Sequence, residues 1–563
     1  IMNGTSPVRG ERTEAGQMCN MTVDLGGAAD QQNTIKGVHY LQDIGAWHDK
    51  QVHGTLSIYG RMLRELHIGH PTADIVITIT KLVLGETPSL RLIDLRRVST
   101  LAGALDLSSC THLQMLQAQG TSLTSVTFPN GGPLASVGFP ATMQQIFLKN
   151  FPKLYNSGVD ISGCKANVTD FMVVGCDAMK PLALLAEIIE AQKSQGSAHA
   201  LKRIRATGID ETYSSSEMLD TIVALTDGSY EGLDANGIGG SITNPVLEGK
   251  VSINANAYQD TIEALQSFFG DNFIINITGN HFIRIADPDV LAKLLANNIG
   301  SNGGVTREQA AAVTSLPSFY NDTTIDSFDE LQYFTGVTQI GPSNYTNSGF
   351  LKAINLKSVV LPPSVKTIGV SAFQQTAISS INLDNVTTIL PRAFQVCANL
   401  KSVNAPNLTE LGESSFASSG VEEIVSLGKV TELKSSNSST GTFNACKSLA
   451  KANLTGITKF GQYEFNNCSA LHTVTIDWTK VTAIGDNAFS NCTLLSFDNL
   501  NLASLTSLKG NAFYGVKIKK LNLGKYIKFL LLYQINLRMD KHRQRHVQSV
   551  LLPLQTLTFL LLH

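Results

Sequence analysis

The segment TAIGDNAFSNCTLL, residues 482–495, contains a pattern that recurs seven times in the last third of this chain. In each copy a phenylalanine closes a short polar phrase, and in six copies an apolar residue stands five positions before it. The phenylalanines are Phe373, Phe394, Phe416, Phe443, Phe465, Phe489 and Phe513. Their spacings of 21, 22, 27, 22, 24 and 24 residues predict a stack of similar supersecondary units, because one such unit cannot bury its apolar face alone. The pattern therefore predicts a solenoid and favours binding as its function.

Runs of alternating apolar and polar residues lie ahead of the Thr-x-Ile phrases. They are Ser380–Leu383, Ser402–Ala405, Thr473–Ile476 and Lys520–Leu523. Alternation predicts strands that bury one set of side chains and expose the polar set on a sheet face. The phenylalanine after each turn is predicted to fill the space between coils and to stack on its neighbours. The exception is Phe443, which stands ten residues after Leu433, and the excess coincides with the polar stretch 435–439.

Four copies carry a cysteine three residues after the phenylalanine, namely Cys397, Cys446, Cys468 and Cys492. The other copies place Thr376, Ser419 and Val516 there. Disulfides or metal thiolates are the functional alternative. Exchange with other small residues favours a buried structural row instead, because a free cysteine packs as a small hydrophobe.

The phrase at 482–495, with its seven recurrences over about residues 350–525, strongly resembles the BspA-type leucine-rich repeat of bacterial surface proteins. The resemblance implies a secreted or surface-attached bacterial protein. It also implies a role in adhesion or in binding host proteins. Periodicity alone indicates only a solenoid.

The predicted fold class is α/β and β-rich, a leucine-rich-repeat solenoid with an inserted small α/β domain. Five segments are expected: a poorly patterned region at 1–81, irregular leucine-rich repeats at 82–176, the small α/β domain at 177–345, the BspA-type repeats at 346–525, and an aberrant tail at 526–563. The tail breaks the repeat within a unit and is hypothesised to be a translated frameshift, with a capping helix as the alternative. The chain opens with Ile1, so its natural start is expected to be missing and a signal peptide cannot be observed.

Composition argues against two classes of partner. With 563 residues, 16% of them charged, and a net charge of −2, the chain implies neither nucleic acid nor an anionic membrane as its partner. No integral membrane segment is expected, because the apolar run Val550–Leu562 is too short and contains a proline.

One segment has the frame of a twelve-residue calcium loop, residues 298–309, and resembles the loop of EF-hand and dockerin modules. Its ligand positions hold neutral residues such as Asn298, Asn302 and Gln309, so every carboxylate that would coordinate the ion is missing. The loop is interpreted as a relic kept for its turn geometry. His67 and His70 suggest a metal pair, but no further ligand stands at zinc spacing, so surface histidines are expected. No metal, cofactor or catalytic residue is assigned.

No nucleotide, hydrolase or metalloprotease motif occurs, so the protein is predicted not to be an enzyme. The first hypothesis is a recognition or adhesion scaffold at the cell surface or outside the cell, which binds protein or glycan through its sheet face. The binding residues are left unassigned, with Asn382, Asn404 and Thr475 as candidates by geometry alone. The alternatives are a structural protein of a bacteriophage tail or fibre and an accessory region of a larger secreted enzyme.

Overall fold

The computed structural model describes residues 53–61, 63–69, 72, 78–194, 199–230, 233, 246–436 and 441–523, and the backbone of three short strands before residue 53. The tail hypothesis for 526–563 therefore lies outside the described residues. The chain divides into two compact units, one ending at His281 and the other beginning at Phe282. This division falls inside the range 177–345 that was expected to form one domain.

The first unit contains mostly parallel strands, and its α-helices lie among the later strands. Its strands are β1 Arg9–Gly10, β2 Met21–Thr22, β3 Gln32–Lys36, β4 His53–Tyr59, β5 Glu65–His67, β6 Thr78–Gly85, β7 Leu92–Asp94, β8 Ala102–Asp106, β9 Met115–Gln117, β10 Ser122–Thr127, β11 Ser136–Gly138, β12 Gln145–Lys149, β13 Val159–Asp160, β14 Asp170–Val174, β15 Arg203–Tyr213, β16 Val246–Ile253, β17 Ala257–Tyr258 and β18 Phe273–Ile277. Its α-helices are α1 Pro181–Lys193, α2 Glu217–Ile222 and α3 Gln259–Phe269, with 3-10 turns at Asn156–Gly158, Lys165–Asn167 and Val223–Thr226.

Two five-stranded parallel sheets dominate this unit. One has the order β13-β11-β9-β7-β5, and the other has the order β12-β14-β15-β16-β18. The second sheet joins strands of the irregular repeats to strands of the helical segment, so the helical segment continues the sheet of the repeats. Pro181 stands at the first position of α1, where its missing N–H costs no helical hydrogen bond.

The second unit is built from short strands and turns. It begins at Phe282, within β19 His281–Phe282, and contains the helices α4 Pro288–Ala296 and α5 Arg307–Ala312, with 3-10 turns at Asp329–Tyr333 and Trp478–Lys480. Its strands are β20 Ser327–Phe328, β21 Gln339–Ile340, β22 Ser358–Val359, β23 Thr367–Ile368, β24 Thr388–Ile389, β25 Ser402–Asn404, β26 Glu410–Leu411, β27 Glu423–Ser426, β28 Glu432–Leu433, β29 Lys451–Asn453, β30 Lys459–Phe460, β31 Thr473–Thr475, β32 Ala483–Ile484, β33 Ser496–Phe497, β34 Leu500–Leu502, β35 Ser507–Leu508, β36 Lys517–Ile518 and β37 Leu521–Leu523.

Most coils of this solenoid contribute one strand to a sheet of Thr-x-Ile phrases, and several contribute a second strand to a sheet of alternating runs. The first type forms the sheets β21-β23-β24-β26 and β28-β30-β32-β35, and the second forms β25-β27-β29-β31. All of these pairings are parallel, for example Ile368 with Ile389 and Ile389 with Leu411, and the β25–β27 pairing shifts its register between Val403 and Asn404. The alternate apolar residues point inward and are buried, as the sequence pattern predicts.

The turn that carries the phenylalanine is also bonded from coil to coil. The N–H groups of Ser371, Phe373 and Gln375 donate to the carbonyl oxygens of Pro391, Ala393 and Gln395 over 2.8–3.0 Å. Ser371 and Gln375 adopt left-handed φ angles of 56° and 62°, so left-handed residues stand two positions before and two after the ring. This alternation aims every second N–H at the next coil and holds the ring pointing inward.

The aromatic rings form one continuous stack. The seven predicted phenylalanines lie parallel, with centroids of successive rings 5.2–5.5 Å apart. Two more rings extend the stack towards the N-terminus: Phe350 stacks on Phe373 at 5.2 Å, and Phe319 stacks on Phe350 at 5.0 Å. The stacked geometry therefore begins well before the regular sequence pattern does.

One of the predicted alternating strands does not form. Residues 380–383 are not a strand, although Ser402–Asn404, Thr473–Thr475 and Leu521–Leu523 are. The amide of Asn382 explains the difference, because it accepts a hydrogen bond from the Leu361 N–H at 2.8 Å and donates to the Leu361 carbonyl at 2.9 Å. The side chain thus takes the place of the backbone bonds that a strand would make.

Candidate functional site

The most regular exposed surface of the second unit is the outward face of β25, β27, β29 and β31, which we call the outer face. Parallel pairing puts Ser402, Glu423, Lys451 and Thr473 in one row across these strands. A second row contains Asn453 and Thr475. All six side chains are exposed, whereas the residues between them point into the core. Adjacent strands lie about 4.8 Å apart, so the rows present equivalent positions at a short, constant interval.

Many polar groups of the outer face have no hydrogen-bond partner among the described residues. This is true of the side chains of Ser402, Asn404 and Thr475, which are exposed. Charge also alternates along the face, since acidic Glu423 lies in register with basic Lys451. At its rim Lys401 pairs with Glu422 at 2.6 Å, but both side chains are more than half exposed, so this ion pair contributes little stability.

The Thr-x-Ile side of the solenoid is different, because its threonine hydroxyls are committed to the fold. A row of threonines donates from Oγ1 to the backbone carbonyl of the preceding coil over 2.9–3.2 Å. Its members are Thr387, Thr409, Thr458, Thr482 and Thr506. These hydrogen bonds link each coil to the preceding one. The hydroxyl protons are therefore not available to a partner.

The three candidate contact residues from the sequence separate in the structure. Asn404 and Thr475 lie at the ends of β25 and β31 on the outer face. Asn382 lies outside the strands, and its amide is bonded to Leu361. Sequence reasoning did not single out Ser402, Glu423 and Lys451. They could have been found from their fixed position two residues after Leu400, Val421 and Leu449.

The cysteine row lies inside the second unit. Cys397, Cys446, Cys468 and Cys492 are free and buried. Each thiol donates to the carbonyl oxygen of the ladder phenylalanine in the preceding coil over 3.0–3.1 Å. Burial raises the pKa of Cys397 and Cys446 to about 11, and that of Cys492 to about 12. The thiols are therefore neutral donors at physiological pH and unsuited to nucleophilic chemistry.

The calcium-like loop is closed by its own side chains. Thr306 and Gln309 form a capping box at the start of α5. Gln309 accepts from the Thr306 N–H at 2.9 Å and donates from Nε2 to Ser301 Oγ at 2.9 Å. Asn298 and Asn302 adopt left-handed φ angles of 59° and 52°. The residues at these ligand positions thus shape a turn and cap a helix.

No group of three or more His, Cys, Asp or Glu side chains within the described ranges is arranged to hold a metal ion. His67 Nε2 lies 3.3 Å from Glu65 Oε2, and His70 lies outside the described residues. None of the helices in the described part of the chain has the length and hydrophobicity that crossing a bilayer requires.

Comparison with known proteins identifies the repeats. The family model of the BspA type leucine rich repeat region matches residues 318–440 and 436–534, with six copies. No curated protein matches the chain in sequence.

Similar solved structures include three bacterial leucine-rich repeat proteins. A leucine-rich repeat protein from Bacteroides ovatus is 12% identical, with 92% of this chain and 90% of that chain covered and a TM-score of 0.20. One from Eubacterium ventriosum is 13% identical, with 92% and 96% covered and a TM-score of 0.26. A leucine rich cell surface protein from Faecalibacterium prausnitzii is 13% identical, with 84% and 96% covered and a TM-score of 0.16.

The family match begins at residue 318, next to Phe319, where the stack of rings begins. Sequence and structure therefore agree on where the repeats start. The chain has a β-rich leucine-rich-repeat fold, and its residues 318–534 match the model of the BspA type leucine rich repeat region.

Proposed function

We propose that this protein is a non-enzymatic recognition scaffold, located outside the cell or on its surface, that binds a protein or glycan through the outer face. Leucine-rich-repeat proteins of this kind generally act as binding scaffolds, which supports the first part of the proposal. Stacked repeats form extended surfaces on which equivalent side chains recur, and such surfaces suit extended partners.

The observation that carries the proposal is the contrast between the two sides of the solenoid. Threonine hydroxyls on the Thr-x-Ile side are bonded to the preceding coil. The side chains of Ser402, Asn404 and Thr475 on the outer face make no such bond within the described residues. A polar group that is not used by the fold can donate to and accept from a partner without breaking a native hydrogen bond. The outer face therefore has the polar groups that recognition requires.

The test is a binding screen of the full chain against a glycan array and a panel of extracellular matrix proteins, followed by biolayer interferometry on every partner found. The variant Asn404→Ala/Lys451→Ala/Thr475→Ala removes side chains from the outer face without touching the core. We expect it to weaken binding at least tenfold. The control Thr388→Ala/Glu410→Ala changes strand positions on the Thr-x-Ile side and should bind as the wild type does. Equal binding by both variants would contradict binding through the outer face. A screen that finds no partner would contradict the scaffold function.

A further inference from the structure

Two coils of the solenoid carry a long insertion at the same place. In the regular coils the ladder phenylalanine stands five positions after the apolar strand residue, but Phe350 stands ten positions after Ile340, and Phe443 ten after Leu433. Both insertions fall between the Thr-x-Ile strand and the ring, and residues 437–440 of the second lie outside the described residues. The coils of Phe373, Phe394 and Phe416 stand between the two insertions along the chain. We call residues 341–349 the edge loop.

The edge loop is anchored at its base and reaches across the neighbouring coil. Gln339 Nε2 donates to the Gly341 carbonyl and to Ser343 Oγ, both at 2.9 Å. Beyond this anchor Tyr345 lies over the guanidinium of Arg392, with the Arg392 Cζ atom 5.3 Å from the ring centroid. Arg392 belongs to the coil of Phe394, two coils further along. The loop thus extends over the intervening coil. Tyr345, in the middle of the loop, is 64% exposed.

The described start of the second insertion contacts a neighbouring coil. Ser436 Oγ donates to Glu413 Oε2 at 3.2 Å. Glu413 and Arg392 lie on adjacent coils, since the Arg392 N–H donates to the Glu413 carbonyl at 3.1 Å. Tyr345 and Ser436 therefore contact side chains of two adjacent coils, those of Phe394 and Phe416.

The arginine is not required by the turn in which it stands. Its φ is 59°, and the same left-handed position is occupied in other coils by Ser371, Ser414, Tyr463, Asn487 and Asn511, with φ of 53–60°. Serine and asparagine are common at such positions, whereas a long side chain has no local advantage there. Within the described residues the Arg392 guanidinium makes no ion pair, and its side chain is exposed. Arg392 thus has hydrogen-bond donors that the fold does not use.

We propose that Tyr345 and Arg392 form a subsite for a sugar that carries a carboxylate, and that the protein binds acidic glycans at this edge. The exposed aromatic ring offers an apolar face on which a sugar ring can stack. The guanidinium presents parallel N–H donors whose geometry matches a carboxylate. This inference rests on the proposed scaffold function, but it places a binding site on the turn edge and not on the outer face.

A protein partner fits this edge less well. Protein interfaces have an apolar core surrounded by a polar rim, and a lone aromatic side chain does not make such a core. Tyr345 is the one large hydrophobic side chain that is strongly exposed on the edge loop. The exposed residues Ile354 and Val396 come after the ladder rings of their coils, whereas the edge loop comes before its ring. The small exposed apolar area of this edge favours a sugar over a protein as the ligand.

The experiment is an array of oligosaccharides that contain uronic or sialic acids, each paired with its carboxyl-reduced counterpart, probed with the full chain. We expect at least one acidic glycan to bind, and carboxyl reduction to weaken its binding at least tenfold. Isothermal titration with that glycan then compares Arg392→Ser and Tyr345→Ser with the wild type. Arg392→Ser copies the residue found at this position in neighbouring coils, so the fold should be retained. Each variant is expected to lose at least tenfold in affinity.

Matched controls are Tyr155→Ser and Arg91→Ser, which remove an exposed tyrosine and an exposed arginine of the first unit and should leave binding unchanged. The subsite is rejected if acidic glycans bind no better than their reduced counterparts, or if the Arg392 and Tyr345 variants bind like the wild type. If the outer-face variant alone weakens binding, the subsite fails and the scaffold function stands. If the edge variants weaken binding of a protein and no glycan binds, the edge is a protein interface and this proposal is wrong.

Discussion

The carboxylate of Glu464 accepts a hydrogen bond from the backbone N–H of Thr442, 2.9 Å away and 22 residues earlier in the chain. The same carboxylate accepts from the N–H of Ser435 at 2.9 Å and from its hydroxyl at 2.6 Å. Glu464 is completely buried. It therefore holds the described residues at both ends of the insertion in the Phe443 coil.

Replacing Glu464 by alanine should destabilise the second unit. The change leaves the N–H groups of Ser435 and Thr442 buried without their acceptor, and each such group costs about 1–3 kcal/mol. We expect a loss of about 2 kcal/mol or more in the free energy of unfolding, measured by urea denaturation. Glu410→Ala removes an exposed carboxylate and should cost less than about 0.5 kcal/mol. Equal losses in the two variants would contradict the anchoring role.

The variant Glu464→Gln tests the pH dependence of this anchor. Burial raises the pKa of Glu464, and the hydrogen bonds from Ser435 and Thr442 offset this only in part. The folded chain therefore binds a proton on Glu464 at pH values where the unfolded chain has lost it. The stability that this group contributes is fully present below about pH 4.5 and falls as the pH rises through the folded pKa.

The difference in unfolding free energy between the wild type and Glu464→Gln should accordingly become less favourable to the wild type between pH 4.5 and pH 7. Each unit by which the pKa is raised corresponds to about 1.4 kcal/mol. Urea denaturation at several pH values measures the difference, and other carboxyl groups cancel because both proteins contain them. A difference that does not vary with pH would show that burial does not govern this carboxyl.

Truncation of a ladder ring should be costly. Phe416 stacks between Phe394 at 5.2 Å and Phe443 at 5.3 Å, and it is fully buried. Phe416→Ala leaves a cavity between three coils, so we expect a loss of about 3–5 kcal/mol in unfolding free energy. Thermal and urea unfolding measure it. The matched change Phe268→Ala, at a ring that is 36% exposed, should cost clearly less.

The cysteines of the second unit should be inert in the native protein. Their thiols are buried and donate hydrogen bonds to backbone carbonyls. Burial raises the pKa of these thiols. Treatment with iodoacetamide at pH 8, followed by peptide mass spectrometry, should leave Cys397, Cys446, Cys468 and Cys492 unmodified. The same treatment in 6 M guanidinium should modify all four. Rapid labelling of the folded chain would show that the coils open around these residues.

The loop at 298–309 should not bind calcium tightly, because its ligand positions are neutral and Gln309 is engaged in the capping box. We expect calorimetric titration with calcium to show no micromolar site. Thr306→Ala should remove the cap of α5 and cost about 0.5–2 kcal/mol, a change that thermal unfolding can measure. Micromolar calcium affinity would contradict this interpretation.

The phenylalanine spacing alone predicted a solenoid, because a recurring apolar residue at intervals of 21–27 can be buried only by stacking one coil on the next. The same pattern could not reveal Phe319 and Phe350. Neither ring stands five positions after an apolar strand residue. Only the stacking of the rings, with centroids 5.0 and 5.2 Å apart, identifies Phe319 and Phe350 as members of the ladder. It also predicted a strand at 380–383, where the Asn382 amide bonds the neighbouring coil instead.

Local sequence thus determined which residues face inward, since burial follows the period of the backbone. Tertiary structure decided which polar side chains remain free for a partner. Whether Asn382, Asn404 or Thr387 is engaged depends on the carbonyl and amide groups of another coil, some 20 residues away. The meeting of Tyr345 with Arg392 has the same origin, because stacking brings together residues 47 positions apart that no short-range pattern relates.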